Sequence, residues 1–354
     1  MILARFILKV VGFRILAALA VLFAVLQVLD LLDATTDVLE RGLGVGGVMR
    51  YAALRAPSLL IQAMPIAVLA GSLLAFTQLG RENAIIAMRA SGISTFRLIG
   101  LSLPAALIVV ATHLVIGQAI APRTDAAQER WWRVTEPLAD RKAPESRSFR
   151  VGADIVTATA DPDLDTSLSD VRIYRRTPEG LLLTRTTAST ARFDDGAWTL
   201  SDARTVTIAQ GAEGVRDAAR LTWPTTLRPV DIQTVFGDTA TTTSAEAHRA
   251  LREGAALRSP AFYQMTLQRA WSAPFASLVM LLLAIPVGLV SYRGAQAPVV
   301  LALCLGAGLL FLVVDGLLAA VGESGVLPVL LAAWGGPIVF AAAAMMVLLR
   351  EEGA

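Results

Sequence analysis

One cysteine is all the thiol this 354-residue chain carries, so no intrachain disulfide can form and any exported part must hold together by packing alone. That residue, Cys304, stands inside an apolar run and reads as a small buried hydrophobe. There are only two histidines, His113 and His248, and neither stands in a recognisable metal-ligand or nucleophile motif. Asp161, Asp163 and Asp165 have the spacing of a calcium loop, but the later Gly and Glu of that motif are missing, so a solvated loop is expected. No Gly-rich phosphate loop of the Walker type occurs, so nucleotide hydrolysis by this chain itself is not expected. No metal, cofactor or catalytic residue is therefore expected. Charged residues make up 17% and the net charge is +2, too little to argue for nucleic acid as a partner.

What the chain has in quantity is apolar residues. At 55% hydrophobic content and a mean hydropathy of +0.60, the composition is that of a polytopic membrane protein. Six runs are long enough to cross a bilayer as helices: Ile15 to Leu32, Ala56 to Gln78, Leu98 to Ala121, Ala273 to Tyr292, Pro298 to Ala320 and Val326 to Leu349. The first follows Arg5, Lys9 and Arg14 and has no small-residue cleavage site, so it reads as a retained signal anchor. Arginines and lysines mark the N-terminus, the segment Leu79 to Arg97, the loop at Arg293 and the tail at Arg350. If all six spans are real, these sites fall on one side, and the positive-inside rule puts both termini in the cytoplasm.

Between the two apolar arms lies a polar block from Arg123 to about Pro260, which the same rule places outside. Its period changes to that of strands: Asp154 to Ala160, Asp170 to Arg175, Leu181 to Ala188, Thr190 to Phe193, Thr205 to Ala209 and Arg220 to Trp223. Ala191 to Leu200 reads as a hairpin, with Asp195-Gly196 supplying the positive φ of a tight turn. A β-sandwich or jelly-roll type is expected, followed by a helix over Ser244 to Gly254. The expected organisation is residues 1–122 as spans one to three, 123–260 as the inserted domain and 261–354 as spans four to six.

Two places invite a functional reading. The segment Arg81 to Ser94 predicts a short helix with Ile85, Ile86 and Met88 on neighbouring faces, Glu82 and Arg89 seven residues apart, and Gly92 as a C-cap. It either lies in the lipid interface or docks its apolar knob into a partner, with Glu82 offered to a basic residue there. Asp30 and Asp315 are carboxylates within apolar runs, where charge is expensive. They either share one polar pocket or each snorkels or bonds to a neighbouring helix. Gly306, Gly308 and Gly316 would let another helix approach the fifth span.

End to end, the chain resembles the lipopolysaccharide export permease family, the paired LptF/LptG type, and its LptG branch more closely. The resemblance rests on the 3+3 layout, on Glu82 followed by Met88-Arg89-Ala90-Ser91-Gly92, and on Ala121-Pro122. It continues through Ile173-Tyr174, Ala191-Arg192-Phe193-Asp194 with Trp198, Trp223 with Thr226-Leu227-Arg228-Pro229, Leu278-Val279-Met280 with Ala284, and Asp315.

The resemblance implies a permease subunit of an ABC transporter in the inner membrane of a Gram-negative bacterium, built as a six-helix membrane fold with an inserted periplasmic all-β jelly-roll-like domain. Such a subunit pairs with an LptF-type permease, is driven by a cytoplasmic ATPase dimer, and passes lipopolysaccharide to LptC-type and LptA-type partners. It implies ATPase coupling through Glu82, Ile85, Ile86, Met88, Arg89 and Gly92. It also puts the first and fifth spans, with Gln27, Asp30, Asp33 and Asp315, near the lipid gate. Members of this branch often carry basic residues at the outer end of the first span, where this chain has Gln27, Asp30, Asp33 and Asp37. Arg123, Arg130 and Arg133 are basic and are expected at the mouth of the β-domain, so head-group recognition is expected there, or else a less phosphorylated lipid or one met through divalent cations. A competing reading is a scaffold that transmits ATPase motion without touching lipid. A third, an intramembrane enzyme using Asp30 and Asp315 as acid and base, lacks any accompanying nucleophile or metal motif.

Overall fold

The computed structural model describes residues 2–92, 94–135, 146–152, 154–160, 166–177, 181–208, 214–236, 242–253, 258–289 and 296–353. The chain opens with helices α1 (Ile2–Glu40), α2 (Gly44–Arg81), α3 (Ala84–Ala90) and α4 (Thr95–Val115). A π-helical segment (Ile116–Ile120) joins α4 to α5 (Ala121–Val134). Six strands follow: β1 (Ser146–Val151), β2 (Asp154–Ala160), β3 (Ser167–Arg176), β4 (Leu182–Asp194), β5 (Ala197–Thr207) and β6 (Gly214–Trp223). Helices α6 (Pro229–Phe236) and α7 (Ser244–Glu253) lead to α8 (Pro260–Ala284), α9 (Pro286–Leu289), α10 (Gln296–Glu323) and α11 (Val329–Gly353). Two units separate: Met1–Gln128 with Leu267–Ala354, and Glu129–Thr266.

Among the described residues, six helices are long and apolar enough to cross a membrane: Leu3–Glu40, Gly44–Arg81, Gly100–Val134, Pro260–Ala284, Pro298–Glu323 and Val329–Arg350. The fold is thus a membrane helical bundle interrupted between its third and fourth spans by a strand-rich domain. Several expected spans are too short. The first helix starts at Ile2 and runs 39 residues, about 58 Å at ~1.5 Å per residue, well beyond the ~30 Å hydrocarbon layer. It passes Leu32 because its last turns are amphipathic. Ala34 and Val38 are buried while Asp33, Asp37 and Glu40 face outward, so packing continues after the apolar run has ended.

α1 and α2 lie against each other with Ile7, Val11 and Ile15 buried on the α1 side. Gly71 makes this possible: a Cβ there would stand 2.5 Å from Ile15 Cα and 2.7 Å from Ile15 N, so the two backbones are in contact. Of the three glycines expected to admit a neighbour in the fifth span, only Gly308 does so, against Leu69 at 2.4 Å; Gly306 and Gly316 meet open space.

Two prolines explain the other departures. Pro122 lacks an N–H and its ring opposes the carbonyl of Gln118, and the π-helical turn at Ile116–Ile120 opens the helix just before it. The helix then continues to Val134, so Arg123, Arg130 and Arg133 stand on one helix. Pro286 disfavours helical geometry at Ile285, and the fourth span ends at Ala284, eight residues short of the expected Tyr292, having begun at Pro260 instead of Ala273.

In the inserted unit the six strands form one antiparallel sheet in sequential order, β1-β2-β3-β4-β5-β6. Among the described residues neighbours in sequence are neighbours in the sheet, so these six strands follow one another as a meander. Asp195 and Gly196 have φ of +49° and +81°, the mirror-image turn expected of this pair. The expected breaks at Ser189 and near Leu200 are absent: β4 runs 13 residues and β5 runs 11. At the same level Asp170 in β3 and Asp202 in β5 take left-handed φ of +47° and +52°, and Ser189 Oγ donates to Asp202 Oδ2 at 2.9 Å. The sheet is therefore continuous but bent along one row, a bend that reads in sequence as a strand end.

One face of the sheet packs on Trp198, Trp223, Leu227 and Ile232. Trp198, 1% exposed, donates its Nε1–H to Leu227 O at 2.8 Å, which satisfies the one polar atom of the largest core side chain. Phe149 meets Phe236 of α6 edge-on at 6.1 Å. Asp154 and Arg175 bond through both carboxylate oxygens at 3.1 Å, and this hydrogen bond raises the guanidinium pKa above its ordinary value. Thr243 and Glu246 form a reciprocal cap at the start of α7, where the expected helix begins.

Candidate functional site

The bundle carries two polar clusters, and both lie toward one end. With six alternating crossings, the turns joining α1 to α2 and α10 to α11 share an end, and the residues of both clusters sit within a few turns of it. The first is built by α1, α2 and α5. Arg55 Nε donates to Asp30 Oδ1 at 3.1 Å, with the two side chains 35% and 14% exposed. Tyr51, one turn earlier on α2, hydrogen-bonds to Asp30 and to Gln128. Ser58 Oγ donates to Asp125 Oδ1 at 2.8 Å, and Arg55 lies close enough to Asp125 to feel its charge. One guanidinium thus serves two carboxylates. Asp30 Oδ2 and both amide atoms of Gln27 are buried without a partner among the described residues. Unpaired polar atoms in an apolar layer are costly, so this cluster has unused hydrogen-bonding capacity.

The second cluster is built by α8, α10 and α11. Arg269 Nη1 stands 3.1 Å from Asp315 Oδ2, and Trp334 Nε1 donates to Gln268 Oε1 at 3.1 Å. Gly336 presses on the carboxylate, since a Cβ there would lie 3.1 Å from Asp315 Oδ1. Asp30 and Asp315 therefore belong to separate ion pairs, each bonded to a neighbouring helix. Neither is arranged as the acid or base partner of the other. Sequence reading missed Arg55, Asp125 and Arg269, whose charges stand near span ends and look like ordinary boundary markers until a carboxylate is found opposite.

The remaining gate candidates are placed as follows. Asp33 and Asp37 are exposed on the outer turns of α1. Arg123 turns back on its own helix, donating Nη1–H to Ala119 O at 2.9 Å. Arg130 is exposed and Arg133 half-buried on the same helix, and the spacing of seven and three residues puts the three arginines on one stripe.

At the opposite end of the bundle, α3 is flanked by two left-handed residues, Asn83 at φ +53° and Gly92 at φ +87°. Ile85 is only 1% exposed and joins the bundle core with Leu79, Ile285 and Val287; Met88 packs on the same core. Of the apolar knob expected to face a partner, Ile85 and Met88 are thus turned inward, against α2 and α9. Among its described side chains the segment exposes Arg81, Glu82, Asn83, Ala87, Ala90 and Ser91, together with Gly92. Glu82 accepts a hydrogen bond from Gln78 Nε2, one turn back. The side chains of Ile86 and Arg89, and Asp161, Asp163 and Asp165, lie outside the described residues.

His113 is 8% exposed in α4 with no partner for Nδ1 among the described residues, and His248 is exposed on α7. Cys304 is buried, as expected.

Comparison with known proteins adds one decisive finding and one blank. No curated protein matched the chain. A family model described as lipopolysaccharide export system permease LptF/LptG matches residues 5–350, which takes in all six apolar helices and the inserted sheet. By that match the chain belongs to the LptF/LptG family of lipopolysaccharide export permeases, a multi-pass inner-membrane transport subunit of an ABC export complex.

Proposed function

We propose that this chain is the LptG-type half of a permease pair that extracts lipopolysaccharide from the inner membrane and passes it to a periplasmic bridge of LptC-type and LptA-type partners. In this reading both termini are cytoplasmic, the strand-rich domain is periplasmic, and ATP is hydrolysed by a separate ATPase dimer. The observation that carries the reading is the half-satisfied cluster of Gln27, Asp30, Arg55 and Asp125. It stands at the end of the bundle where α5 leaves for the inserted domain. A glycolipid head group supplies hydroxyls, amides and phosphates, which suit an arginine and an unpaired amide in a low-dielectric layer. Arg123, Arg130 and Arg133 on α5 extend the basic stripe from there.

The ATPase would meet the exposed edge of α3, through Glu82 and the small residues Ala87, Ala90 and Ser91, while Ile85 and Met88 transmit its position to the core. Movement would thus reach the spans through packing. The competing scaffold reading draws on the exposed acidic turns at Asp33 and Asp37, which repel phosphate.

One experiment separates the two. Photo-crosslinking residues placed at positions 27, 33 and 130 of the assembled complex should capture lipopolysaccharide at 27 and 130 during ATP turnover. Capture at neither position, with hydrolysis intact, would leave the scaffold reading standing and remove the transport route.

A further inference from the structure

At the end of the bundle that carries α3, an open cavity of about 410 Å³ is lined by Lys9, Val10, Phe13, Arg14 and Gln78, from α1 and α2. Two cations line it, and neither has an acidic partner among the described residues. Arg14, half-buried, makes one hydrogen bond, from Nη1 to Leu74 O at 3.0 Å, and Lys9 makes none among the described residues. Gln78, the other polar residue of the wall, has its amide held on Glu82. A guanidinium has five N–H donors in a planar fork, so most of Arg14's capacity faces the cavity unused.

The rest of the lining is apolar. Phe13 is 72% exposed, and Phe6 and Leu16 are also exposed along α1. Cations beside a lipid-facing apolar stripe suit an amphiphile whose anionic head sits at the membrane boundary and whose chains run along the helix. A soluble anion would use the charges but leave Phe13 idle.

We propose that Lys9 and Arg14 hold the head group of an anionic phospholipid of the leaflet at this end, with acyl chains against Phe13 and Val10. The site is separate from the polar clusters at the opposite end and does not depend on which lipid those transport. Because the cavity is formed by the two helices whose backbones touch at Gly71 and Ile15, a lipid bound there braces the α1–α2 pair next to α3.

The test uses the full chain with its copurifying subunits in nanodiscs of mixed phosphatidylcholine and phosphatidylglycerol, with retained lipid counted by native mass spectrometry. Phosphatidylglycerol should be retained in preference. Lys9→Gln should lower that retention about fivefold, the effect of one cation near a membrane surface. Arg14→Gln should lower it further, but that change also removes the bond to Leu74, so Lys9→Gln carries the test. Arg97→Gln removes an exposed cation at the same end outside the cavity and should change nothing. Inorganic phosphate should fail to displace the lipid. Equal retention of the two lipids, full retention in Lys9→Gln, or displacement by phosphate would each overturn the proposal, the last in favour of a small-anion site.

Discussion

Arg55 reaches from α2 to Asp30 on α1 at 3.1 Å, and the same guanidinium lies beside Asp125 on α5. Residues of three helices thus meet around one cation at a depth where unpaired charge is expensive, so the packing of these helices depends on how that charge is answered.

Removing one partner should therefore hurt more than removing both. Arg55→Leu leaves the Asp30 carboxylate without its charge partner and is expected to cost about 1–2 kcal/mol, less than for a fully buried pair because Arg55 is 35% exposed. Asp30→Asn combined with Arg55→Leu should recover part of that loss. Thermal unfolding of the purified complex in detergent, read as a double-mutant cycle, checks it. Simple additivity would show that the pair is not coupled.

The contact of Gly71 with the Ile15 backbone sets a second expectation. Gly71→Ala should force α1 and α2 apart and destabilise by about 1–3 kcal/mol, as overpacking does in a close-packed interior. Gly306→Ala, whose Cβ meets open space, should sit within about 0.5 kcal/mol of the parent. Melting temperatures of the two variants, measured side by side, should differ clearly.

At α3 the two roles separate by residue. Ile85→Ala opens a core cavity and should lower stability by about 2–4 kcal/mol. Glu82→Ala touches only an exposed side chain and should leave the melting temperature almost unchanged, while weakening ATPase association and lipid release. Copurification of the ATPase with each variant distinguishes these outcomes. Normal assembly and coupling in Glu82→Ala would remove the docking role.

In the inserted sheet, Asp202 holds φ at +52° and accepts from Ser189. Asp202→Gly should be close to neutral, because glycine adopts this conformation freely and offsets the lost hydrogen bond. Asp202→Val combines β-branching with a left-handed backbone and should cost about 1–2 kcal/mol. Proteolytic resistance of the domain within the full chain gives the ranking, and equal resistance would mean the bend relaxes.

Fold and family were largely legible in the residue order. Apolar runs of spanning length can do little else in water, and strands with Asp195-Gly196 between them can turn in few ways. The clusters were half legible: Asp30 and Asp315 stood out because they interrupt apolar runs. Their arginines did not, since Arg55 and Arg269 sit at span edges where cations are commonplace.

The sequence by itself determined that six helices cross and one strand-rich domain interrupts them, because hydropathy and period are local properties that neighbours cannot easily overrule. Only the tertiary structure decided that Ile85 faces inward, that Asp30 and Asp315 belong to different pairs, that Gly71 and not Gly306 admits a helix, and that α1 outlasts its apolar run. Each of these depends on what lies across an interface, and the burial of a face is a property of two surfaces, of which one stretch of chain supplies only one.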